Sequence, residues 1–180
     1  MMKRYQIALL SFALGIFTIT YLALFLSKET PSRDVVEVKP SEEFRTLLVF
    51  FPNSRNDPNF LNCDKTYPVE RVLGRLSDNS KSALGEFAYL VLTDLIRGPT
   101  EQEVAKGFFT LINEGTKVQR VIIENGIASV DFDNKLDEYV GGSCKVQAIR
   151  SQITETLLQF PEITKVIISI NGESESILQP

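Results

Sequence analysis

The sequence predicts an α+β fold, with an N-terminal transmembrane helix followed by one two-layer domain. We expect a mainly antiparallel sheet with two helices on one face. Three observations predict this: an uncharged apolar run at the start of the chain, a hairpin turn at Asn125-Gly126, and two amphipathic stretches between strand-like segments. The predicted organisation is a cytoplasmic start and anchor in residues 1–27, a linker in 28–43 and an extracytoplasmic domain in 44–180.

The first segment carries no charge from Tyr5 to Ser27. Its apolar part, Ile7 to Leu26, has the length of about 20 residues that a helix needs to cross a bilayer. Lys3 and Arg4 precede it, so the positive-inside rule places the N-terminus in the cytoplasm and the following domain outside. The run is longer than the h-region of a signal peptide, about 7–15 residues, and no small-x-small cleavage site follows it. We therefore expect an uncleaved anchor.

Composition excludes several classes of function. The net charge is −4, which argues against nucleic acid as a partner. The chain has no histidine, the commonest general base and zinc ligand, and this absence also removes the standard serine and cysteine triads. It has no tryptophan to stack on sugars. We expect no cofactor and no enzymatic activity.

Cys63 and Cys144 are the two cysteines of the chain. In an outward-facing domain such a pair most often forms a disulfide. It would close a loop of roughly 80 residues and stabilise the fold by about 4 kcal/mol in the chain-entropy model. Two free buried thiols and half of a metal site remain as alternatives.

A linker, Lys28 to Glu43, precedes the domain and contains Pro31 and Pro40. Apolar and alternating runs predict the strands. A type I′ turn needs positive φ at both of its central residues, which Asn and Gly tolerate. Asn125-Gly126 therefore predicts a hairpin with a two-residue turn. The predicted strands are Arg45 to Phe51, Tyr67 to Leu76, Val118 to Ile123, Ile127 to Phe132 and Lys165 to Ile170.

Two helices are predicted from apolar stripes of helical period, Ser80 to Arg97 and Ser143 to Phe160. Gly98 is expected to take the left-handed conformation that ends the first. Thr100 and Glu103 match a capping box that opens one short helical turn. Each long helix has one apolar stripe, so we expect its opposite side to face solvent.

Acidic residues after the hairpin are candidates for chemistry. Asp131, Asp133 and Asp137 suggest calcium, but an EF-hand loop counted from Asp131 would place Leu136 and Gly142 where glycine and glutamate are required. We expect no metal there, and we expect Asp131 and Asp133 to face solvent. With Glu138, the same residues could supply the carboxylates of a glycan hydrolase.

Ser143, in the run Gly141-Gly142-Ser143-Cys144, faintly suggests a nucleophile with Lys145 as its base. The favoured interpretation is that Ser143 is the N-cap of the second helix, because serine oxygens satisfy free N–H groups at helix starts. No catalytic residue is predicted.

Several separated motifs together resemble the GerMN domain, a family found in bacterial spore-germination proteins and other bacterial surface proteins. The resemblance covers roughly Phe44 to Ile177. It rests on Leu95-Ile96-Arg97-Gly98-Pro99-Thr100, Gly115-Thr116-Lys117-Val118, Asn125-Gly126-Ile127-Ala128-Ser129-Val130-Asp131-Phe132, Gly141-Gly142-Ser143, Phe160-Pro161 and Val166-x-Ile168-x-Ile170.

The resemblance implies an extracytoplasmic domain at the bacterial cytoplasmic membrane, similar to the ring-building motifs of secretion machines. The best-studied family member helps to assemble a trans-envelope complex during sporulation. The family has no established catalytic residues. This chain differs from that member because it has one copy of the domain and a cysteine pair, Cys63 and Cys144.

Two functions follow as hypotheses. The first is a single-pass, membrane-tethered, non-catalytic module that binds an envelope protein or a second copy of itself. The second is a binder or hydrolase of peptidoglycan glycan, motivated by the carboxylates and by Tyr67, Tyr89 and Tyr139.

Overall fold

The computed structural model describes residues 45–73 and 81–179 of the chain. The predicted anchor and linker lie outside the described residues. Within them, no helix has the length and apolar character to cross a membrane. The elements are strands β1 (Arg45–Phe51), β2 (Tyr67–Leu73), β3 (Val118–Glu124), β4 (Ile127–Phe132) and β5 (Lys165–Ile170), and helices α1 (Lys81–Arg97), α2 (Glu101–Val104) and α3 (Ser143–Leu158).

The strands form two sheets, so the prediction of one mainly antiparallel sheet is wrong in this respect. β1 and β2 pair antiparallel, while β3, β4 and β5 form a second sheet in that order. β4 is antiparallel to β3 but parallel to β5. The parallel pairing follows from the connection between β4 and β5. Helix α3 returns the chain from the end of β4 to the end of the sheet where β4 begins, so that β5 runs in the same direction as β4.

The core lies where α1 and α3 meet both sheets. Each helix contacts β1, and the three-stranded sheet meets α1 through β3 and α3 through β5. Val91 and Leu95 of α1, Ile149 and Ile153 of α3, and Phe132 of β4 are fully buried. Burial of such side chains, at about 1.5–3 kcal/mol each, is the main stabilising contribution.

Helix α3 buries more than the single stripe that its sequence predicts. Gln152 and Thr156 are polar but fully buried. Thr156 Oγ1 accepts a hydrogen bond from Phe50 N at 3.1 Å, so this side of α3 faces β1. The buried surface of α3 is therefore wider than the predicted stripe, because the first sheet covers one flank of the helix. The side opposite the stripe faces solvent as expected, with Gln147, Glu155 and Leu158 exposed.

The free edge of β1 is closed by two side chains, Thr156 at Phe50 and Gln159, just after α3, at Leu48. Gln159 Oε1 accepts a hydrogen bond from Leu48 N at 2.8 Å, and Gln159 Nε2 donates to Leu48 O at 2.7 Å. The amide of Gln159 thus occupies the place that another strand would take. Edge strands with unpaired backbone groups are sites of strand addition, and β1 is protected from it at this residue.

The β3–β4 hairpin has the predicted turn. Asn125 and Gly126 have φ values of 50° and 79°. Gly126 O accepts hydrogen bonds from Thr164 N at 2.8 Å and from Lys165 N at 3.2 Å, so the turn also fixes the start of β5. A Cβ atom on Gly126 would lie 2.9 Å from Thr164 Oγ1.

Replacing Gly126 by alanine is expected to cost about 1–2 kcal/mol of unfolding free energy, through left-handed strain and the contact with Thr164. Gly115→Ala is the matched control, because Gly115 has a φ of 83° and a Cβ atom added there would meet no neighbouring atom within 4 Å. Denaturant unfolding of both variants separates the cost of left-handed backbone strain from the cost of the contact with Thr164. Equal losses would contradict a role for the Thr164 contact.

Candidate functional site

One face of the three-stranded sheet points away from the helical core. In β4, Ala128 and Val130 are fully buried whereas Ser129, between them, is exposed. The same alternation in β3 leaves Ile122 41% exposed. We call this surface the open face and define it by Arg120, Ile122, Glu124, Ser129, Asp131 and Ser169.

The open face contains a shallow depression of about 430 Å³. Its lining combines a guanidinium group, a carboxylate, amides, hydroxyl groups and one aliphatic side chain. Donors and acceptors beside apolar surface suit a polar ligand or a protein surface. The lining side chains include Gln119, Arg120, Ile122, Ser129, Asp131 and Asn171.

Asp131 is held at the edge of this depression. Its Oδ1 accepts hydrogen bonds from Ser169 Oγ at 2.6 Å and from Gly172 N at 2.8 Å, which fixes the turn after β5. Arg120 lies directly opposite Asp131 across the β3–β4 pair. Among the described residues no carboxylate lies within ion-pair distance of Arg120, so its charge is available to a partner.

The other predicted carboxylates hold separate segments of backbone. Asp133 Oδ1 accepts a hydrogen bond from Lys117 N at 3.0 Å, and Asp137 Oδ2 accepts one from Leu178 N at 3.1 Å. Glu138 pairs with Lys135. Asp131 and Asp133 are both partly exposed, as expected, but each also accepts a backbone N–H, a role that the sequence did not predict.

Ser143 is not the N-cap of the second helix. Gly142 occupies that position with a φ of 86°, and Ser143 is the first helical residue. The glycine fits because this backbone conformation strains any other residue. Lys145, the conceivable base, instead places Nζ 3.4 Å from Asn113 Oδ1.

The three tyrosines of the glycan hypothesis lie on separate elements. Tyr67 is in β2, Tyr89 is in α1, and Tyr139 follows the 3₁₀ turn Asn134–Leu136 and is 96% exposed. None of them lines the depression on the open face, within the part of the chain that the structure describes. They do not form a sugar-stacking platform there.

Cys63 and Cys144 are joined in a disulfide, with their Cα atoms 4.9 Å apart. The bond connects the loop between β1 and β2 to the first turn of α3. Phe60 in that loop packs edge-on against Phe109 at 5.4 Å between ring centroids. Asp57 stabilises the loop from within, accepting hydrogen bonds from Leu61 N at 3.2 Å and Asn62 N at 2.9 Å.

A largely buried ion cluster, which the sequence did not predict, joins β2 to both helices that follow it. Arg71 Nε lies 2.6 Å from Asp94 Oδ2, and Arg71 Nη2 donates to Glu103 Oε2 at 2.7 Å. The three side chains are only 12–14% exposed. Glu103 Oε2 also accepts a hydrogen bond from Thr100 N at 2.7 Å, the carboxylate half of the predicted capping box.

This cluster changes the acidity of Glu103. Burial opposes ionisation, but the hydrogen bonds from Arg71 and Thr100 and the guanidinium charge outweigh it, so the pKa of Glu103 is lowered. The sequence does contain one indication of this cluster. Arg71 lies inside a predicted strand, and an arginine that becomes buried there needs an acidic partner.

A family model described as Germane, sporulation and spore germination, matches residues 49–176. The chain belongs to this family. The match includes the whole three-stranded sheet and both long helices, so the open face lies within the Germane domain. The expected GerMN resemblance is thereby confirmed.

Two solved structures are similar to this chain. The tandem GerMN domains of the sporulation protein GerM from Bacillus subtilis share 22% identity over 76% of this chain, with a TM-score of 0.47. The first GerMN domain of that protein shares 24% identity over 72% of this chain and 85% of its own length, also with a TM-score of 0.47. This chain spans 43% of the tandem structure. No curated protein sequence matches it.

Proposed function

We propose that this Germane protein is a membrane-tethered, extracytoplasmic and non-catalytic interaction module of the bacterial cell envelope. Its role would be to assemble with other envelope proteins in a process related to sporulation or germination. The observation that carries the proposal is the open face, which presents Ile122 at 41% exposure beside charged side chains. Protein interfaces combine an apolar centre with a polar rim in this way.

The use of the carboxylates also supports an interaction role. Asp131, Asp133 and Asp137 each accept a backbone N–H from a different part of the domain. A hydrolase needs two carboxylates placed across one glycosidic bond. Hydrogen bonds to three separate segments of backbone support a structural role for these carboxylates.

The proposal is tested by proximity labelling with the full chain fused to a biotin ligase. A fusion of residues 1–43 alone measures the background of the membrane environment. We expect envelope proteins to be enriched several-fold by the full chain. Ser129→Arg, in the centre of the open face, should reduce that enrichment, whereas Glu86→Arg on the exposed surface of α1 should not. Equal labelling by the full chain and the 1–43 fusion would contradict the proposal.

Glycan binding is a second candidate function, favoured by the polar depression of the open face. Arg120, Asp131 and Asn171 offer it the kinds of groups that hydrogen-bond sugar hydroxyls. The full chain in detergent would then sediment with insoluble peptidoglycan. Replacing Gln119 and Arg120 with alanine should weaken this co-sedimentation. Release of soluble fragments would indicate hydrolysis in addition to binding.

A further inference from the structure

Strand β3 is an edge of the three-stranded sheet. Because the hairpin turn has two residues, Glu124 and Ile127 form its first hydrogen-bonded pair. Backbone groups alternate along an antiparallel strand, so Ile122 also points its N–H and C=O toward β4. Val121 and Ile123 point theirs to the free edge, where no described residue bonds to them.

The sequence of this edge is self-complementary. Consider two copies of β3 aligned antiparallel about a two-fold axis at Ile122. Ile122 then lies opposite Ile122 of the second copy, and Arg120 lies opposite Glu124 of the second copy. Registers centred one residue away on either side lose the match between Arg120 and Glu124.

We propose that the protein forms a two-fold symmetric dimer by pairing β3 with β3 of a second copy, which produces one continuous six-stranded sheet. The inference rests on the proposed interaction role and names one partner for it. Such an interface is closed by symmetry, so it does not propagate into a fibre.

The backbone geometry agrees with this register. Val121 N–H donates to Ile123 O of the second copy, and the N–H of that Ile123 donates back to Val121 O. Ile122 and the Arg120–Glu124 pairs then occupy non-hydrogen-bonded positions, where facing side chains are closest. The dimer also covers what remains exposed of Val121 and Ile123, which are only half-buried.

The charges fit the same arrangement. Neither Arg120 nor Glu124 has an ion-pair partner among the described residues. In the dimer, Arg120 lies between Asp131 of its own chain and Glu124 of the second copy. The β1 edge is closed by Thr156 and Gln159, but along β3 no described side chain closes the edge in this way.

Charge exchange tests the register directly. We expect Arg120→Glu and Glu124→Arg, each alone, to weaken dimerisation of the full chain in detergent by about tenfold, since each places like charges opposite one another twice. The double variant R120E/E124R should restore it. An equimolar mixture of the two single variants should form heterodimers, measured by sedimentation velocity.

Cysteine cross-linking supplies an independent measurement. Ile122→Cys places two thiols at the axis, so oxidation of the full chain should yield a covalent dimer on a non-reducing gel. Ser129→Cys is the matched control: it is on the same face, but roughly 14 Å from its counterpart at a strand spacing of about 4.8 Å.

Equal cross-linking at both positions would overturn the proposal, as would single charge variants that dimerise like the wild type. A cooperative thermal transition like that of the wild type, followed by circular dichroism, shows that each variant is folded. If dimerisation fails while proximity labelling still recovers envelope proteins, the interaction role stands and only the identity of this partner is wrong.

Discussion

Replacing Arg71 by methionine is expected to lower the free energy of unfolding by about 3 kcal/mol or more. The substitution keeps much of the side-chain volume but leaves Glu103 without a counter-charge at 13% exposure. Asp94, at 14% exposure, keeps only the exposed Arg97, whose Nη1 lies 3.3 Å from Asp94 Oδ1. Removing one partner of a buried ion pair costs about 3–5 kcal/mol, because the remaining charge is uncompensated. Denaturant unfolding of the full chain measures the loss.

Neutralising the partners provides the control. In the triple variant Arg71→Met, Asp94→Asn and Glu103→Gln, no buried charge remains in the cluster, and glutamine can still accept the hydrogen bond from Thr100 N. We expect most of the lost stability to return. If the triple variant were as unstable as Arg71→Met, packing by the guanidinium, not its charge, would explain the effect.

The same cluster predicts a dependence on acid. The folded-state pKa of Glu103 lies below its ordinary value of 4.5. The stability that this shift provides is therefore fully present above the unfolded pKa and is lost as the pH falls through the folded pKa. Arg71→Met should lose less stability than the wild type over that acidic range, because its Glu103 no longer has the guanidinium partner.

Elements fixed by nearby residues could be predicted from the sequence. Strands β1, β4 and β5 have the predicted bounds. Gly98 has the left-handed φ of 80° expected at the end of α1. The Asn125-Gly126 turn also follows from local chemistry, since both residues tolerate positive φ. In each case the deciding interaction lies within a few residues of the pattern.

Arrangements that depend on distant residues could not be predicted in the same way. The strands form two sheets, and the free edge of β1 is bonded at Leu48 by Gln159, 111 residues further along the chain. Nothing in the local sequence of either segment indicates this contact. The burial of Gln152 and Thr156 has the same origin, because a polar residue on a helix is expected to be exposed until another element is placed over it.

The open face could be predicted from the sequence only in part. The alternation of Arg120, Ile122 and Glu124 with half-buried residues is visible in the sequence as a strand pattern. What the pattern could not show is that this strand lies at the edge of its sheet. Asp131 stands out in the sequence as an acidic residue, but its role in holding Ser169 and Gly172 depends on the parallel placement of β5.

Replacing both Cys63 and Cys144 by serine is expected to lower the free energy of unfolding by about 4 kcal/mol. The disulfide joins residues separated by 81 positions, and such a long loop restricts the unfolded chain strongly. Denaturant unfolding of the full chain in detergent measures the change. The m value, the slope of the unfolding free energy against denaturant concentration, should also rise, because the unfolded state without the cross-link exposes more surface.

Two further comparisons separate the cross-link from the loss of side-chain contacts. Reducing the wild type with a dithiol should reproduce the loss seen in the double serine variant, and the same reagent should leave that variant unchanged. In the double serine variant, amide hydrogen exchange should become faster in the loop between β1 and β2, where Asp64 O accepts a hydrogen bond from Ser151 of α3. Exchange in β4 should remain slow. An unchanged slope with an equal loss of stability would instead place the effect of the disulfide in the folded state, through the packing of that loop against α3.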